Sequence, residues 1–88
     1  MVLSGNDIYQ VQFLLPIQGN LKTLELVQQI LDKANIREED RGSEIKREIV
    51  FSDEEIIFLR NMIMILDESQ KLSFSCLSLI KKILNYKE

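Results

Sequence analysis

Apolar and polar positions divide the chain into five periodic segments separated by polar punctuation. From Ile8 to Leu15, the residues Tyr9, Val11, Phe13 and Leu15 alternate with Gln10, Gln12 and Leu14. A period of two with aromatic and β-branched content predicts a strand, and Pro16, which has no N–H for a ladder, ends it. Asn20 then offers a helix cap, and Leu24, Val27, Ile30, Leu31 and Ala34 share one arc at helical spacing. Lys22, Glu25, Gln28, Gln29, Asp32 and Lys33 cover the opposite side, the pattern of a surface helix. Asn35 suits the left-handed position that closes such a helix, with Ile36 folding back onto it. Residues 45–51 predict a second short strand, with Ile45, Ile49 and Phe51 on one face and Arg47 interrupting it.

The next helix has the clearest start. Ser52-Asp53-Glu54-Glu55 is a capping box, and Phe51 and Ile56 stand at the positions of a hydrophobic staple. The apolar spacing carries this helix to about Asp67. After a polar turn, Ser73 caps a last helix over 73–87, with Leu72 and Leu77 as a second staple. Cys76, Leu77, Leu79, Ile80, Ile83, Leu84 and Tyr86 form its apolar arc; Ser75, Ser78, Lys81, Lys82 and Asn85 form its wet face. The expected fold is one small α+β domain spanning residues 1–88. It is helix-dominated, in the order β-α-β-α-α, with a short two-stranded element and a C-terminal helical hairpin. Residues 1–6 are expected to be a flexible N-terminus and 37–44 a mobile polar loop.

The middle helix is more apolar than a surface helix needs to be. With Ile56 at 0° and a step of about 100° per residue, Phe58, Leu59, Met62, Ile63, Ile65 and Leu66 fill an arc from about 180° to 340°. Ile57 and Met64 fall outside it, near 80–100°, flanked by Arg60 and Asn61. Either this helix is sandwiched on all sides, or Ile57, Arg60, Asn61 and Met64 belong to an exposed interface strip.

Composition removes most chemistry. Without histidine there is no Ser-His-Asp triad, no Cys-His pair and no Cys₂His₂ zinc site. Cys76 stands alone and lies on an apolar arc, so it reads as a packed thiol. The clusters 38–40 and 53–55 read as solvated or capping carboxylates, not as an acid–base pair. Asp67 opens a segment that lacks the later oxygen ligands of a calcium loop, and Gln18-Gly19-Asn20 lacks the Gly-Lys-Ser/Thr of a phosphate loop. No catalytic activity, cofactor or metal is expected. Fourteen acids against 11 bases give a net charge of −3, which disfavours general nucleic-acid or anionic-membrane binding. The apolar-rich run from Ile56 to Leu66 is far shorter than the ~20 residues of a bilayer span. The N-terminal decapeptide has no basic region before an apolar core, so no signal peptide is predicted, and the cytoplasm is the expected compartment. Twelve Ile, seven Lys and five Asn against one Ala suggest AT-rich coding DNA, as in phages and mobile elements.

The expected function is a small non-catalytic protein–protein interaction module, accessory or regulatory. Its partner would be a second copy of the chain, another protein, or both, with the 38–44 loop as a second contact. The alternative is a dimeric DNA-binding regulator that uses helix 73–87.

Overall fold

Ser4 begins the helical part of the molecule. Its hydroxyl accepts the N–H of Asp7 at 3.1 Å, and the Asp7 carboxylate accepts the N–H of Ser4 at 3.3 Å. This capping box starts helix α1, Gly5–Val11, and Leu3 and Ile8, both fully buried, occupy the staple positions around it. A 3₁₀ turn, Gln12–Leu14, continues the coil. The computed structural model, which describes residues 1–86, therefore replaces the strand expected over Ile8–Leu15 with a helix. The run carries two periods at once. Ile8, Val11 and Leu14 recur every three residues, and these are the buried ones. Phe13, which the alternation would put inside, is 57% exposed.

Residues 2–6, within the expected N-terminal tail, carry a strand and the start of α1. Strand β1, Val2–Ser4, pairs antiparallel with strand β2, Lys46–Glu48, placing Val2 opposite Glu48, Leu3 opposite Arg47 and Ser4 opposite Lys46. The second strand is shorter than the 45–51 expected: Ile49 and Phe51 are buried, whereas Ile45 and Val50 are exposed. The 37–44 segment is a loop but a pinned one. Asp40 is buried and accepts the Arg37 N–H at 2.8 Å and the Arg47 guanidinium at 2.7 Å. Gly5 lets α1 lie against this loop: a Cβ there would sit 2.7 Å from the Ser43 Cβ. The approach brings the Gly5 N–H to the Ile45 carbonyl (2.8 Å) and the Asn6 N–H to that of Ser43 (2.9 Å).

Helix α2, Leu21–Ala34, follows its predicted ends. The Asn20 side chain accepts the Thr23 N–H at 2.9 Å, and Asn35 takes the left-handed conformation with φ 47° while its N–H reaches the Leu31 carbonyl. Helix α3, Asp53–Glu68, starts from the predicted Ser52–Glu55 box with Phe51 and Ile56 buried beside it. Gln70 (φ 55°) closes it, and the Lys71 N–H returns to the Leu66 carbonyl at 2.8 Å. Ser73 caps a 3₁₀ turn, Phe74–Cys76, rather than the helix proper, and helix α4 spans Leu77–Leu84. The predicted end of this helix at Lys87 lies outside the described residues. The order is thus β-α-α-β-α-α: an α+β domain with one two-stranded sheet and a hairpin formed by α3 and α4. One core joins Leu3, Ile8 and Val11 to Ile30 and Ala34 of α2 and to the inner faces of α3 and α4.

Candidate functional site

The inner face of α3 carries Ile56, Leu59 and Ile63, all buried. The outer face carries Ile57 (54% exposed), Asn61, Met64 (57%) and Ile65 (53%). The apolar arc that the sequence suggests is therefore too wide at one edge, and Ile65 joins the exposed side. The same narrowing occurs on α4. Leu79, Ile80 and Ile83 are buried, but Leu77 and Leu84, expected inside, are 39% and 49% exposed. Phe74, in the turn before α4, is almost wholly exposed.

Arg60 fixes how these two helices meet. It is half-buried, and its guanidinium donates to the backbone carbonyls of Ile83 (3.2 Å) and Tyr86. The first carbonyl belongs to the last turn of α4, where it also accepts the Tyr86 N–H at 3.3 Å, and the second lies just past the helix end. Arg60 is thereby committed to bracing the hairpin, a role its spacing alone did not reveal. The contact sets the middle of α3 against the end of α4, and with the short connection between Glu68 and Leu77 the two helices form an antiparallel hairpin.

At about 100° per residue, Ile57 and Met64 lie next to Arg60 on α3, on the edge of the exposed face turned toward α4. On α4, Lys82 pairs with Asp7 of α1. Leu77 and Leu84 are the exposed apolar residues of this helix, and Leu77 lines a pocket with Phe74, Ser78 and Lys81. The charged groups that the two helices leave in solvent differ in sign: Asp53, Glu54, Asp67 and Glu68 at the ends of α3, and Lys81 on α4, whereas Glu55 is buried against Lys33.

The face assigned to DNA in the alternative reading places Ser75, Ser78, Lys81 and Asn85 in solvent, while Lys82 is half-buried against Asp7. Cys76 is buried, and burial pushes its thiol pKa up, the state of a packed rather than a reactive cysteine. Among the described residues no helix is long and apolar enough to cross a membrane. The chain matches no protein-family model, no curated protein and no solved structure.

Proposed function

We propose that the protein is a non-catalytic interaction module that acts as a homodimer, with the α3–α4 face as its contact surface. The carrying observation is that both helices of the hairpin leave large apolar side chains exposed, Ile57, Met64 and Ile65 on α3 and Leu77 and Leu84 on α4. Single exposed apolar residues are ordinary, but several on two neighbouring helices of a domain this small point to a contact surface. The occupant is a second copy: a two-fold axis parallel to the hairpin lays each α3 over the partner's α4, bringing the exposed acids at the ends of α3 toward the exposed Lys81 while Ile57 and Met64 cover Leu77 and Leu84.

Sedimentation of the wild type and of Met64→Glu tests this. The wild type is expected to be dimeric at about 100 µM, and Met64→Glu monomeric with unchanged far-UV circular dichroism, since the side chain is exposed in the monomer. Leu77→Glu, on the other helix, should have the same effect. A wild type that stays monomeric at that concentration, or a dimer that survives both substitutions, overturns the proposal.

A further inference from the structure

Helix α1, the turn between α3 and α4 and the Arg41–Gly42 corner line an open groove of about 600 Å³, within the size range of small-molecule sites. Its lining has an unusual charge for this chain. Arg41 and Lys71 stand in it and no acidic residue does, although acids outnumber bases overall. Among the described residues neither Arg41 nor Lys71 has an acidic partner, so both charges are free to meet a ligand; Lys22, Lys33, Arg37, Arg47 and Lys82 are paired, and Lys46, Arg60 and Lys81, like these two, are not.

The walls that carry these two cations are held by backbone. The Gly42 N–H beside Arg41 donates to the Asn6 side chain of α1 at 3.2 Å, and the left-handed closure at Gln70 fixes Lys71. Between them Tyr9 and Phe13 pack edge to face with ring centroids 5.9 Å apart, and the Phe13 ring is mostly exposed. Hydroxyls and amides of Ser73, Ser75, Asn6 and Gln10 supply neutral hydrogen-bonding groups. Cations held in a concave site focus a positive potential there, and an exposed ring offers a stacking surface.

We infer that this groove is a binding site for a small anion carried on an aromatic ring, a carboxylate or a phosphate. The acidic group lies between Arg41 and Lys71, and the ring lies against Phe13. The inference does not depend on the oligomeric state, because none of these groups belongs to the α3–α4 seam.

Titration of the ¹⁵N-labelled protein with phenyl phosphate and with benzoate tests it. At least one should bind saturably with a millimolar or tighter constant, shifting the amides of Asn6, Gly42 and Lys71; which of the two binds tighter separates the phosphate from the carboxylate source. The double variant Arg41→Gln/Lys71→Gln should weaken binding at least tenfold without altering circular dichroism, and Phe13→Ala should weaken phenyl phosphate but not inorganic phosphate. The absence of saturable shifts with both probes overturns the inference. So does an affinity unchanged in the double variant, or inorganic phosphate binding as tightly as phenyl phosphate.

Discussion

Two helices of this protein begin with the same device and use it differently. At α1 and at α3 a serine hydroxyl caps the helix while an acid three residues later reaches back: Asp7 to Ser4, Glu55 to Ser52. Capping boxes usually sit at the surface, but both of these carboxylates are buried, Asp7 at 2% exposure and Glu55 at 0%. Each is neutralised by a lysine from another helix, Lys82 of α4 for Asp7 and Lys33 of α2 for Glu55. A local cap thus becomes a clamp between elements, α1 to α4 and α3 to α2. At each acid one oxygen accepts both from the lysine and from the serine N–H. The clamps differ in the second oxygen: that of Glu55 is buried and has no partner among the described residues. The helices differ in what the clamp must do. Seven residues are too few to hold a helix by themselves, so α1 depends on its clamp, while α3 has 16 residues and a buried face.

Removing the lysines separates the two most strongly. Lys33→Met and Lys82→Met each leave a buried carboxylate without its countercharge at neutral pH. Each should lower the unfolding free energy by about 1–3 kcal/mol. The exposed part of each lysine head keeps the loss below the roughly 3–5 kcal/mol of a fully enclosed pair. Lys33→Met should cost more, because Glu55 is fully buried and its second oxygen is already without a partner among the described residues. Urea titration at pH 7 measures both, and a larger loss in Lys82→Met would reverse the ranking of the clamps.

The same pair shows what sequence can convey. Ser52–Glu55 is legible because a long apolar helix follows it. Ser4–Asp7 is the same S-x-x-acid signal with its own staple, Leu3 and Ile8, yet it precedes a run whose alternation imitates a strand. Helical spacing also fits Ile8, Val11 and Leu14; only the capping residues decide between the two periods. Ile57 and Met64 can be assigned to a separate stripe because they lie nearly opposite the centre of the buried arc. Ile65, Leu77 and Leu84 cannot be assigned that way, since they lie at arc edges whose width depends on how closely neighbouring helices approach. The lysine partners, the Arg60 brace and the placement of Arg41 and Lys71 on one groove join residues distant in sequence, and no local pattern encodes them.

Acid offers a second, smaller separation. Burial pushes both carboxyls up, but for Asp7 the hydrogen bond and charge of Lys82 and the contacts with Ser4 outweigh it. For Glu55 the contacts with Lys33 and Ser52 do the same, so both titrate below their ordinary values of 3.8 and 4.5. A carboxyl with a depressed folded-state pKa stabilises the fold above its unfolded pKa, and that contribution fades as pH falls through the folded value. Stability should therefore be level above about pH 5 and decline below it, the Glu55 share beginning near 4.5 and the Asp7 share near 3.8. The decline should be gentler than the loss from either lysine substitution, because protonation also removes the cost of burying a charge. Urea midpoints between pH 6 and 2.5 measure it. In Lys33→Met the portion that begins near 4.5 should shrink, leaving the Asp7 portion; an unchanged profile would remove Lys33 from the account of Glu55.

The smallest effects should come from the serines, and these distinguish a cap from a clamp. Ser4→Ala and Ser52→Ala each delete one acceptor for a helix N–H, a loss of about 1 kcal/mol. The size should be similar at the two sites, but the reach should not. Helix α3 can lose its first turn and keep Leu59 and Ile63 packed, so Ser52→Ala should raise hydrogen exchange only near Glu55 and Ile56. Helix α1 has two turns in all, and its buried residues, Ile8 and Val11, span both. Ser4→Ala should therefore raise exchange across Ile8–Val11 together and extend to Lys82, whose partner Asp7 is positioned by the same box. Exchange confined to the first α1 turn in Ser4→Ala would show that Lys82, not the cap, holds that helix in place.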